Sequence, residues 1–210
     1  MLKIENAETF GWEAAIRGMR NPKNSWSKSD SQWSFPCENG TDAPRFIVGE
    51  NDLKLASALA NSGADDGKFL RMIHVQLDVT APLYWHKEAD QYKVGTVTDS
   101  CSTMHKIHAK EFTMDDFSHE HLYSPLHDLK PTVDLLNVYR ERFLETKDKE
   151  DWWQLIQLLP VSYNQRRTWD LNYAVLRNIY HARRNHKIDE WHTLCDWIET
   201  LPYAKELICG

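Results

Sequence analysis

The stretch DQYKVGTVTDSCSTMH, residues 90 to 105, holds a polar run of hydroxyl-bearing residues that follows a Tyr-Lys pair and a glycine. Thr96, Thr98, Ser100, Ser102 and Thr103 supply hydroxyls, and Gly95 lets main chain come close to a bound group. Hydroxyls and loop amides can hold a phosphate or a pyrimidine edge without strong charge. A solvated turn is the alternative reading of the same residues. A second candidate is NYAVLRNIYHARRNHKIDEW, residues 172 to 191. On a helix, Asn172, Leu176, Ile179, Arg183 and Lys187 fall near one face, with Arg177, His181 and Arg184 on others. Arginine suits two-pronged capture of phosphate or carboxylate, although arginines on helices also serve as solvated salt-bridging faces. The ten histidines raise a metal hypothesis. Neither His105-x2-His108 nor His119-Glu120-His121 has HExxH spacing, so no metal site is expected. No GxSxG, P-loop or GxGxxG occurs, and no residue stands out as a catalytic nucleophile or base.

The elements that must position these groups follow from periodicity. Residues 3 to 20 read as a short strand or lead-in and then a small helix around 13 to 19. Residues 21 to 46 read as a long loop whose aromatics, Trp26, Trp33, Phe35 and Phe46, favour a segment that docks onto something, with an ordinary surface loop as the alternative. The spacing in NDLKLASALANS predicts a helix over 51–62, with Asn51 as N-cap and Gly63 as left-handed C-cap. From Phe69 to Val79 a mostly apolar set alternates with a mostly polar one, which predicts a strand with one buried face. Pro82 opens a short helix leading into the 90–105 stretch. Beyond residue 115 the pattern predicts helices over 115–122, 131–147, 150–159, roughly 168–185, and 188–200. Pro125, Pro131, Pro160 and Pro202 punctuate them.

With 210 residues, 41% hydrophobic and 27% charged, the chain suits a single α+β domain over 1–210, rich in helix with a small antiparallel or mixed sheet. The formal net charge of −6 argues against general nucleic-acid binding. No apolar run is long enough to span a membrane. The four cysteines, Cys37, Cys101, Cys195 and Cys209, form no CxxC, and with no signal peptide a cytoplasmic location is expected. The sequon Asn39-Gly40-Thr41 is then a chance match. Nine tryptophans suit broad flat contacts in a core, at an interface or under a planar ligand.

Taken in order, these features resemble the flavin-dependent thymidylate synthases over about residues 50 to 105 and 150 to 200. The family signature reads RHRxxSxNExSxRY, with a Gln three residues before its first Arg. Here Glu88 takes the Gln place and Gln91-Tyr92-Lys93 the RHR place. Thr96 stands for the first Ser and Thr98-Asp99 for Asn-Glu. After one inserted residue, Ser102 takes the second Ser and Met104-His105 the final Arg-Tyr. The later family pattern of LP, NLRxLLxFLxLR and AQxEIR resembles Leu159-Pro160, Asn172 to Arg183, and Ile188-Asp189-Glu190-Trp191. The resemblance implies a bound flavin (FAD) near Tyr92, Lys93 and Asn172. It implies a deoxyuridine-type nucleotide near Thr96, Ser100 and Ser102, with Arg177 and Arg183 clamping anionic groups. It further implies C5 alkylation with a nicotinamide reductant (NADPH) and a methylene-tetrahydrofolate carbon donor, in a homotetramer. The chain departs from the pattern at both signature arginines, at GHxSxxEH, where Gly63 alone remains, and at the last Arg of AQxEIR, with Thr193 nearby. A second reading is therefore a non-catalytic module on the same scaffold that binds a nucleotide or a partner protein.

Overall fold

The computed structural model describes residues 1–35 and 43–210, so Cys37 and the sequon at Asn39 lie outside the described residues. In chain order the elements are β1 (Lys3–Phe10), α1 (Trp12–Arg20), β2 (Gln32–Ser34), β3 (Arg45–Ile47), α2 (Glu50–Asn61), β4 (His74–Pro82), α3 (Leu83–Ala89), β5 (Val97–Ser100), α4 (Pro125–Asp128), α5 (Lys130–Thr146), α6 (Lys149–Leu158), β6 (Asn164–Asn172), α7 (Tyr173–Arg183) and α8 (Asp189–Ile198). The class is α+β. One four-stranded antiparallel sheet runs in the order β1-β4-β6-β5, and β2 and β3 form a separate antiparallel pair with Trp33 opposite Phe46.

Strand β4 shows why the sheet has two faces. Val75, Leu77, Val79 and Ala81 are buried, whereas His74, Gln76, Asp78 and Thr80 are not. That is period-two burial as alternation requires. On the polar face side chains pair with those of β6: Arg166 Nη2 meets Asp78 Oδ2 at 2.6 Å, and His74 Nδ1 lies 2.9 Å from Asp170 Oδ1. Opposite charges on facing strands favour this pairing over a slipped one.

The chain divides into two compact units, with boundaries inside β1, β4, β5 and β6. The first comprises Met1–Asn6, Leu77–Gln91 and Thr98–Trp169. It contains the α5–α6 pair, whose apolar sides close over Phe112, Phe117, Leu136 and Leu155. A second packing centre there is the parallel stack of Trp85 on Trp169, with ring centroids 5.6 Å apart. The other unit comprises Ala7–Gln76, Tyr92–Val97 and Asp170–Gly210. It packs α1, α2, α7 and α8 around Ile16, Tyr173, Leu176, Ile179 and Trp191.

Several expectations need correction. The strand expected from Phe69 begins only at His74, because residues Asp66–Met72 form 3-10 turns. Phe69 and Leu70 are both buried there, and adjacent residues cannot both face inward on a strand. The helix expected over 168–185 is strand to Asn172 and helix only after it. The helix expected over 115–122 shrinks to a 3-10 turn at Met114–Asp116, closed by a reciprocal Thr113–Asp116 capping box. The 90–105 stretch is not all loop, since β5 lies within it as the sheet-edge neighbour of β6. The 21–46 loop contains the β2–β3 pair and two 3-10 turns. Finally, Gly49, not Asn51, caps α2, and the helix amides are met by a distant carboxylate: Asp30 accepts from the N–H groups of Asn51 at 2.9 Å and Asp52 at 3.1 Å. A Cβ on Gly49 would fall 2.3 Å from that carboxyl, so only glycine admits the cap.

Candidate functional site

Asn172 ends β6 and heads α7. Its side-chain oxygen accepts from the Val175 N–H at 3.1 Å, satisfying one of the unpaired amides of the first turn. Its Nδ2 faces the Gly95 carbonyl at 3.4 Å. One side chain thus starts the helix and anchors the Tyr92–Val97 segment to it. Gly95 has φ of +82°, and a Cβ there would come 3.0 Å from Asn172 Nδ2 and 3.4 Å from Val175 Cγ2. The close approach and the left-handed backbone each call for glycine. Beside it, the Thr96 hydroxyl is buried with no hydrogen-bond partner among the described residues. A buried hydroxyl without a partner costs free energy unless something supplies one.

Tyr92 sits at the other end of this segment. Arg183 Nε donates to its hydroxyl at 2.8 Å. The same guanidinium lies over the Trp191 ring at 4.9 Å and the Tyr92 ring at 5.6 Å, while the two rings meet edge-on at 5.9 Å. Cation and aromatic faces attract, so α7, α8 and the loop are locked together through Arg183. Arg177 is committed elsewhere. Its guanidinium donates to the main-chain oxygens of Leu207, Ile208 and Gly210 and to Asn61 Oδ1, at 2.7 to 3.2 Å, and so ties α7 to the last turn.

No family model matches the sequence, and no curated protein matches it. Solved structures do match. Thymidylate synthase X from Helicobacter pylori, in a crystal structure with FAD and dUMP, superposes with a TM-score of 0.72 at 13% identity over 98% of this chain and 97% of that one. A second crystal structure, of the flavin-dependent thymidylate synthase from the same organism complexed with FAD and dUMP, gives 0.67 at 15% identity over the same shares. The chain has the thymidylate synthase X fold.

Within that fold, Tyr92, Lys93, Thr96, Asn172, Arg177 and Arg183 all belong to the second unit, and Ser100 and Ser102 to the first. Tyr92 meets Arg183, and Gly95 meets Asn172. Arg177 turns to the C-terminal carbonyls instead. Lys93 is exposed, and Ser100 lies exposed on β5. Ser102 Oγ accepts from the N–H groups of Met104 and His105 at 3.2 and 2.9 Å, closing its own turn. Trp191 packs against Arg183 and Tyr92, a placement that periodicity does not reveal, because a tryptophan there reads as ordinary core. Arg20, buried against Asp52, is equally unmarked in the sequence, since a single arginine at a helix end carries no pattern. Among the described residues no three His, Cys, Asp or Glu side chains gather as metal ligands, and no helix is long and apolar enough to cross a membrane.

Proposed function

We propose that the protein is a flavin-dependent, thymidylate synthase-like nucleotide enzyme, and that the Tyr92–Val97 segment and the head of α7 form part of its ligand site. The match to a structure with FAD and dUMP over 98% of the chain carries this reading. Two local features fit it: the Gly95 approach that any Cβ would obstruct, and the unpartnered Thr96 hydroxyl, which offers a donor and an acceptor. Tyr92, Lys93 and Asn172 would hold the flavin, and Thr96 the nucleotide. Arg183 would act by fixing Tyr92, in place of clamping an anion directly. A bound flavin supplies the redox chemistry of such a reaction, and the protein's part is binding and orientation. A nicotinamide reductant, a methylene-tetrahydrofolate donor, a homotetramer and a cytoplasmic location complete the proposal.

The test is spectroscopic. Purified protein incubated with FAD should show a retained absorbance band near ~450 nm, and dUMP should raise its melting temperature, since a ligand selective for the native state stabilises it. A protein that gains neither band nor shift refutes the reading. The Arg177 geometry favours one alternative, a nucleotide-binding module without catalysis, because that guanidinium is saturated by carbonyls. A dUMP shift with no flavin retained would select it.

A further inference from the structure

A second group of polar and aromatic side chains lines cavities away from the Tyr92–Val97 segment and α7. In the second unit, a polar cavity of about 670 Å³ is walled by Arg20, Lys23, Ser25, Ser27, Lys28 and others. Arg20 is the built part of it, only 4% exposed. Its Nε donates to Asp52 Oδ1 at 2.5 Å, and its Nη1 to the main-chain and side-chain oxygens of Ser25 at 3.2 and 3.3 Å. No described residue accepts from Nη2. Those two N–H donors are open to an acceptor in the cavity that Arg20 lines. Among the described residues neither Lys23 nor Lys28 forms an ion pair. The two nearby carboxylates are already engaged: Asp30 caps α2, and Asp52 accepts from Arg20, from the Ser29 and Ser31 hydroxyls and from the Asp30 and Ser31 amides. The positive charge in this wall is therefore left over for something else, in a chain whose net charge is −6.

A smaller cavity of about 270 Å³ shares Arg20 and Ser29 with the first and is lined by Trp26, Trp33 and Phe46. Trp26 and Trp33 are 52% and 46% exposed. Yet both are held: the indole N–H of Trp26 donates to Asn21 Oδ1 at 2.8 Å and that of Trp33 to Glu13 Oε2 at 3.2 Å. Trp33 also meets Phe46 edge-on at 5.6 Å. Ring faces kept in place and in water favour a planar partner.

We propose that the paired cavities bind a nucleoside phosphate. Its phosphate oxygens meet Arg20 Nη2, Lys23, Lys28 and the Ser25 and Ser27 hydroxyls, and its base lies on the indoles of Trp26 and Trp33. A phosphate accepts from the free Nη2 donors, the aromatic faces suit a ring, and the combined volume suits a small molecule. This site shares no residue with the Tyr92–Val97 segment or α7, and it stands or falls independently of the flavin reading.

The experiment is calorimetric titration of the full chain with AMP, UMP, adenosine, uridine and inorganic phosphate. At least one nucleotide should bind saturably, about tenfold or more tighter than its nucleoside and than phosphate alone. The double charge reversal Lys23→Glu/Lys28→Glu, at two exposed positions, should weaken that nucleotide about tenfold or more and leave any flavin absorbance band unchanged. Trp26→Phe should remove part of the tryptophan quenching that the nucleotide causes. If neither nucleotide gives a saturable signal, or if the charge-reversed protein binds it with undiminished affinity, the proposal is overturned.

Discussion

At Gly95 two demands coincide, a φ of +82° and a contact that a Cβ would make at 3.0 Å with Asn172. Gly95→Ala should lower stability by about 1–2 kcal/mol from the left-handed backbone alone and push the loop off α7. Thermal melts should show the loss, and flavin or dUMP affinity should fall with it; a variant with unchanged affinity would detach this loop from the ligand site. His86 makes a prediction of another kind. It is fully buried, its Nε2 lies 2.9 Å from the Gln165 carbonyl, and burial, outweighing that hydrogen bond, pushes its pKa down to about 4. The folded protein therefore keeps His86 neutral, with its Nε2–H donating to the carbonyl. Between pH ~6.5 and 4 the unfolded chain binds the extra proton, so stability is complete above pH ~6.5 and declines as pH falls through this window. The loss should reach about 3 kcal/mol in denaturant titrations, and His86→Gln should flatten that slope.

Elements in the second unit are tied by single polar residues as much as by apolar faces. Asp52 is wholly buried on α2 and gathers Arg20 from α1 and the 29–31 segment. Burial alone would raise its pKa; the donors from Ser31, Ser29, Arg20 and the Asp30 amide overcome this and hold it below the ordinary carboxylate range. Asp52→Asn keeps the volume but leaves Arg20 without its counter-charge, which should cost about 3–5 kcal/mol. Urea unfolding measures the cost, and limited proteolysis should then find new cleavage within residues 25–31. Wild-type-like stability in this variant would show that α1, α2 and the 29–31 segment are held by something other than this hub. How legible each element is depends on where its information lies. Helix α2 is readable because its apolar spacing is local, and so is most of β4, where four inward residues alternate with polar ones. Strand β6 begins Asn-Gln-Arg-Arg-Thr, and β5 is exposed at every position; neither has an apolar period to read. They are strands because β4 and β6 offer them hydrogen-bonding edges. The Asp30 cap on α2 comes from 21 residues away from Asn51 and leaves no trace in local sequence.

For the whole molecule, the proposed homotetramer makes a direct expectation: sedimentation velocity should give the mass of four chains, and a monomer at micromolar concentration would count against it. The resemblance in the order of motifs reached the correct fold, because a helix ending in glycine, a strand, a hydroxyl-rich loop and an Asn-headed helix survive changes in the residues between them. By itself the sequence determined the fold class, most of the helices and the hydroxyl-rich run at 96–103, since these rest on local periodicity, capping and motif order, whereas the switch from strand to helix at Asn172 is set by the sheet. Only the tertiary structure decided which arginines are free to act. Arg183 is bound to Tyr92 and Trp191 and Arg177 to the last carbonyls, while among the described residues Arg20 Nη2 has no acceptor and Lys23 and Lys28 form no ion pair. A guanidinium's role is set by the acceptors within its reach, and those come from residues far away in the chain.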